Sequence, residues 1–181
     1  DPISRKAVSL CIETAESVGQ QGLGGQRSDR RLVASDPWNL IWSDEFNGTT
    51  IDNSKWTHEL GTGNWGWGNN ELQYYTASTN NSFASNGELH ILAKEQVINT
   101  SNYSSARIVT KDKFSFQYGK VEGRLKAPAG QGLWPAFWML GTDLVEVTWP
   151  QCGEIDILEV RGRDPHTLVG TIHGPGYSGE N

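Results

Sequence analysis

The sequence predicts an all-β sandwich, and three observations carry that expectation. Short runs rich in Val, Ile, Thr, Tyr and Trp recur along the chain, 21 Gly and 7 Pro fall between them, and helical periodicity is scarce. With 181 residues and 36% of them hydrophobic, the chain fits one globular domain and has no room for a second full one.

Residues 1–36 read differently from the rest, as an N-terminal tail or linker. Ala7, Leu10, Cys11, Ala15 and Val18 fall near helical spacing, a weak amphipathic helix at best, and a polar stretch with Gly and Arg follows to Asp36. The domain is expected over residues 37–181. It opens with an apolar strand, Trp38-Asn39-Leu40-Ile41-Trp42, running into the acidic turn Ser43-Asp44-Glu45-Phe46. Gly61 to Gly68 is a Gly-punctuated loop that enters an alternating strand at Asn69-Asn70-Glu71-Leu72-Gln73-Tyr74-Tyr75. Ser85-Asn86-Gly87 is a turn, and Glu88 to Ala93 a strand in which His90 is a strand residue rather than a catalyst. Residues 95–106, polar and rich in Asn and Ser, read as a surface loop. Arg107 to Phe116 and Gly119 to Lys126 read as further short strands. In Gly130-Gln131-Gly132-Leu133-Trp134-Pro135-Ala136-Phe137-Trp138, an unbulged strand places Trp134 and Trp138 on one face and Phe137 on the other.

The chemistry concentrates in Trp149-Pro150-Gln151-Cys152-Gly153-Glu154-Ile155-Asp156-Ile157-Leu158-Glu159-Val160. Alternation puts Glu154 and Asp156 on one face of a strand and Ile155 and Ile157 on the other, leaving Glu159 out of phase. A bulge near Ile157 and Leu158 returns Glu159 to the acidic face. The two glutamates then start with Cα atoms roughly 13 Å apart, at about 3.3 Å per residue. Side chains leaning together close much of that gap, toward the roughly 5–5.5 Å a retaining glycosidase needs or the roughly 6.5–9.5 Å of an inverting one. Asp156 between them can hydrogen-bond Glu154 and, through its charge, separate the roles of two like groups. An exposed edge strand with an acidic solvent face gives the same spacing.

Eight Trp, at 38, 42, 56, 65, 67, 134, 138 and 149, serve either as core or as flat faces for sugar rings. Two cysteines, Cys11 and Cys152, define no disulfide framework, and Cys152 reads as a small buried thiol. A formal charge of −6, with no basic run longer than Arg30-Arg31, argues against nucleic acid or an anionic membrane as partner and suits a neutral polysaccharide. No run of about 18 apolar residues suggests a transmembrane helix. The N-terminus lacks a signal-peptide pattern, so the chain is expected to start after a cleavage or to be part of a longer one.

Trp-Pro-x-Cys-Gly-Glu-Ile-Asp-Ile-Leu-Glu resembles the signature of glycoside hydrolase family 16 in its laminarinase-like branch, whose Glu-x-Asp-x-x-Glu spacing carries the inserted residue. With the segments above in family order, the resemblance covers residues 38–181. It implies a concanavalin-like β-jelly-roll sandwich with a glucan cleft on its concave face, and retaining hydrolysis of β-1,3-glucan. In that reading Glu154 is the nucleophile, Glu159 the acid/base and Asp156 their supporting carboxylate. It further implies that Asn69, Asn70 and Glu71 bind sugar or support the acids. Arg107 would face the cleft, Trp134 and Trp138 line the groove, and His173 face the acids from the following strand. No organic cofactor is implied; a structural calcium near Asp44 and Glu45 is possible on the same resemblance, as is an ordinary turn. Secretion is implied by the family alone, and the oligomeric state is open. A non-catalytic glucan-binding protein, an agarase, carrageenase or mixed-linkage glucanase, and a sandwich with no sugar site remain rivals. Such sandwiches commonly take roughly 200–250 residues, so the domain is expected to be incomplete here, with strand edges left open and the isolated chain poorly soluble or inactive.

Overall fold

The computed structural model of the chain describes residues 8–14 and 38–178, with side chains from 38 to 177. Eleven strands are described: β1 (Val8–Thr14), β2 (Thr57–Glu59), β3 (Gln73–Tyr75), β4 (Ser82–Ser85), β5 (Glu88–Ile91), β6 (Lys94–Ile98), β7 (Ser101–Val109), β8 (Ala136–Gly141), β9 (Glu154–Val160), β10 (Leu168–Gly174) and β11 (Tyr177–Ser178). Among the described residues the only α-helix is the single turn α1 (Leu144–Val147). The large sheet runs in the order β11-β10-β9-β8-β1-β7-β2, with β3 and β6 also paired to β7, while β4 and β5 form a separate hairpin. The long β7 is shared within that sheet, because Ala106 to Val109 pair with β1 and Ser101 to Ser105 pair with β3 and β6.

Alternation along these strands sorts the two faces. Ala106 and Ile108 of β7 and Phe137 and Met139 of β8 point into the main core with Trp56 and Ile91. Trp42, Phe46, Leu89, Phe116 and Val121 pack on that cluster, as do Ile155, Ile157 and Leu158 of β9. Arg107, Val109, Ala136, Trp138 and Leu140 occupy the opposite face, where Val109, Ala136 and Trp138 make a smaller buried cluster. Burying one large apolar side chain contributes about 1.5–3 kcal/mol, so the first cluster holds the sandwich closed and leaves the second face free to carry polar groups.

Six expectations change. The strand expected from Asn69 forms only at Gln73–Tyr75, and Trp134 precedes β8 instead of sharing it with Trp138. Val8–Thr14, read as weakly helical within a tail, is a strand paired antiparallel on both sides, Cys11 standing opposite Val109 of β7 and Trp138 of β8. Apolar or β-branched residues at 8, 10, 12 and 14 fit strand period two as well as the helical one, and two open ladders decide between them. The remainder of 1–36 lies outside the described residues. Residues 95–106 are not a loop but most of the β6–β7 hairpin, turned at Asn99 with φ 52°. Their Ser and Asn content is explained by a buried polar network in which Asn81 Nδ2 donates to Ser104 Oγ (3.0 Å) and Ser104 Oγ donates to Gln96 Oε1 (2.9 Å). Residues 38–42 and 119–126 form no strand, although Trp42 and Val121 reach the core.

Candidate active site

Strand β9 carries the three acids, and its register shows how they come onto one face. Against β8, Leu140 pairs with Glu154, Met139 with Ile155 and Trp138 with Asp156, after which the register jumps so that Phe137 meets Leu158 and Ala136 meets Glu159. Ile157 is therefore the extra residue of a bulge, placed where the sequence calls for one. Strand β10 follows the same irregularity, stepping from Thr171 opposite Asp156 to Val169 opposite Glu159. The consequence is visible in the core, where Ile155, Ile157 and Leu158 all pack on the apolar cluster. Glu154, Asp156 and Glu159 are left together on the face of Ala136, Trp138 and Leu140.

Each glutamate is met by its own indole. Trp149 Nε1 donates to Glu154 Oε2 at 2.7 Å, and Trp134 Nε1 donates to Glu159 Oε1 at 2.9 Å. Buried Asp156 lies between them, hydrogen-bonded to Glu154 and to His173 Nε2 at 3.0 Å. Burial pushes Asp156 up to about 7, with the charges of Glu154 and Glu159 and the hydrogen bond to Glu154 adding and His173 opposing. Burial also pushes Glu154 above the usual carboxylate range, against the hydrogen bonds from Trp149 and Asp156; Glu159 adds to the rise and Arg107 opposes it. Asp156 thus holds a proton through most of the acidic range and donates it toward Glu154. Burial favours the protonated form of Asp156, from which it can donate to Glu154.

The wall on the β7 side is built on Arg107. Its guanidinium lies between the rings of Trp67 and Trp138, 4.7 Å from each centroid, and its Nε is 2.6 Å from Glu59 Oε2. Arg107 therefore faces the acids' side of the sheet, yet it is only 8% exposed and acts as a clamp within the wall. Trp138, also 8% exposed, has one face covered by that guanidinium and is part of the wall rather than an open sugar platform. Trp134 is 45% exposed beside Glu159. Trp67 is presented by a loop whose backbone is left-handed at Gly63, Trp65, Gly66, Trp67, Gly68 and Asn70. At Gly66 a Cβ would meet the backbone of Glu71 at 2.4 Å, which is why the turn takes glycine there. Glu71 accepts from Gln73 Nε2 (2.6 Å), Tyr75 Oη (2.7 Å) and Asn69 Nδ2 (3.2 Å), so Asn69 and Glu71 brace this loop, whereas Asn70 is exposed at its end.

Sequence reasoning brought Glu154, Asp156, Glu159, Trp134 and His173 into one neighbourhood, and missed Trp149, Trp67 and Glu59. Trp149 was legible in principle, standing five residues before Glu154 in the same motif. Cys152 is buried, as read. Ligand atoms of Glu154, Asp156 and His173 lie within 4.8 Å of one another, a spacing their mutual hydrogen bonds already explain. Around Asp44, Phe46 N (3.0 Å) and Trp56 Nε1 (2.8 Å) donate to the carboxylate and Lys55 Nζ lies 3.6 Å away, so the turn is satisfied by the protein's own donors.

Carboxylates held in unlike surroundings on an aromatic-walled sheet face are the equipment of acid–base attack at an acetal carbon, and the class so defined is the glycoside hydrolases. The chain belongs to the glycosyl hydrolases family 16, whose family model matches residues 69–181. It is 50% identical over 148 residues to glucan endo-1,3-beta-glucosidase A1 of Niallia circulans, covering 75% of this chain and 22% of that protein. The laminarinase catalytic domain of Thermotoga maritima superposes with a TM-score of 0.75 at 49% identity, over 80% of this chain and 60% of that one. The endo-beta-1,3-glucanase of Pyrococcus furiosus superposes with a TM-score of 0.71 at 46% identity, over 78% and 57%. The fold is accordingly the β-jelly-roll of that family. The chain spans less than two thirds of each of these relatives.

Proposed function

We propose that this chain carries the catalytic strand of a retaining endo-β-1,3-glucanase acting on laminarin-type glucan. Glu154 attacks the anomeric carbon while Glu159 protonates the leaving oxygen, and Glu159 then takes a proton from the water that releases the sugar from Glu154. The observation that carries this reading is the bulge at Ile157, which sets both glutamates on one face with separate partners, so that chemically alike groups have unlike surroundings. The names of the similar proteins support the β-1,3 linkage. A large extracellular polymer as substrate requires an exported enzyme, so secretion belongs to the same proposal; among the described residues no helix is long and apolar enough to cross a membrane.

The test is release of reducing ends from laminarin, mixed-linkage glucan, agarose and carrageenan by the chain and by Glu154→Gln and Glu159→Gln. In a competently folded chain laminarin is expected to be cut, each variant to lose most activity while still binding glucan, and azide to rescue small-residue variants at 154 and 159 with opposite anomeric products. Parental turnover by Glu154→Gln would sink the assignment. Binding without cleavage by the parent would favour the glucan-binding reading.

A further inference from the structure

The mechanism above leaves Trp149 without a part, although it makes the shortest of the indole contacts to the acids. Trp149 follows α1 and reaches Glu154 from outside the sheet, donating Nε1–H to Oε2 at 2.7 Å. Its ring also leans on His173, with centroids 5.6 Å apart and planes at 51°, and His173 holds Asp156. Asp156 returns to Glu154, which closes a ring of four side chains drawn from the α1–β9 connection, β9 and β10. Two donors from different elements thus hold one carboxylate. A glutamate with three free torsions would otherwise sample several positions at the groove.

We infer that Trp149 is a positioning residue for the nucleophile, fixing the Glu154 carboxylate and receiving its charge when the glycosyl bond to it breaks. This rests on the proposed function. In the second step water attacks the anomeric carbon, its proton passes to Glu159, and the bonding pair of the ester returns to Glu154. The indole N–H is already aimed at the oxygen where that charge collects, so it needs no reorganisation at that moment. Trp134, donating to Glu159, is the matched contact on the other acid. The charged or titratable groups facing Glu154 are Asp156 and Glu159 on its own strand, Arg107 from β7 and His173 from β10. The Trp149 bond is one of the contributions that offset the rise caused by burial.

Two measurements on the full 181-residue chain test this. The first is the indole N–H resonance of Trp149, identified by its disappearance in Trp149→Phe. It is expected to move in Glu154→Ala and to stay in Glu159→Ala, while the Trp134 resonance does the reverse; this needs no turnover. The second is laminarin hydrolysis by Trp149→Phe, which keeps a ring on His173 and removes the donor. Losing a hydrogen bond to a charged group predicts kcat lower by about tenfold or more, with KM within about twofold and the acid limb of the profile moved to higher pH. A Trp149 resonance indifferent to Glu154→Ala, or a folded Trp149→Phe with parental kcat and profile, overturns the inference. Should Glu154→Gln itself keep parental activity, the proposed function fails, which is a different outcome from an inactive Glu154→Gln beside an unaffected Trp149→Phe.

Discussion

Asp156 is the residue whose environment departs furthest from that of an ordinary carboxylate. Its pKa rises from 3.8 to about 7 on folding, so between those values the native state holds a proton that the unfolded chain has lost. Stability contributed by that proton is present below about pH 4 and is lost as pH rises to 7, with a slope approaching about 1.4 kcal/mol per pH unit for one fully displaced proton. Asp156→Asn removes this dependence, so chemical denaturation at pH 4.5, 6 and 7.5 is expected to show the parent losing stability relative to the variant as pH increases. A constant difference across the three values would mean that Asp156 titrates normally. Arg107 makes a second prediction at this scale. A planar guanidinium can lie flat between Trp67 and Trp138 while pairing with Glu59, and an ammonium cannot. Arg107→Lys is expected to cost about 1–2 kcal/mol in unfolding free energy, the range of a desolvated cation–π contact; an unchanged denaturation midpoint would show that the stack contributes little.

The β8–β9 hairpin is the element that turns a strand into a site, and its geometry leaves no slack at Gly141. A Cβ there would stand 2.0 Å from the Cys152 carbonyl oxygen, a backbone atom with no room to withdraw, because Gly141 N also donates to Gly153 O at 3.0 Å. Gly141→Ala is therefore expected to cost at least the roughly 1–3 kcal/mol typical of overpacking, and to lower activity further by displacing the start of β9 at Glu154. A thermal melt with a laminarin assay checks both; a parental melt would show that the hairpin tolerates separation. The same element illustrates how much of a site local sequence can reveal. Glu154, Asp156 and Glu159 among aliphatic residues required a bulge at one place, and the bulge falls at Ile157. Trp138 shows the opposite case: its spacing correctly assigns its face, but whether that face holds a sugar or a guanidinium depends on Arg107, 31 positions earlier and beyond an intervening strand.

For the whole molecule, the insertion of β1 between β7 and β8 is what makes the sheet continuous. A proline at position 10 removes a ladder donor from a strand paired on both sides and is expected to cost about 3 kcal/mol or more. Leu10→Pro should therefore lower the melting temperature and make unfolding less cooperative, whereas a melt like the parent's would mean that β7 and β8 hold together without β1. Period-two patterning of β8 and of the start of β9 and the acid motif were determined by the sequence alone, because each depends only on residues within one strand and on which face they point to. The tertiary structure decided the rest. Residues 8–14 became a strand because two open ladders accept them, and 101–106 became one because Asn81 satisfies Ser104 from another part of the chain. The pKa of Asp156 is raised because neighbouring strands strip it of water. Periodicity along one segment carries no information about partners supplied by another, and burial, pairing and pKa are properties of those partners.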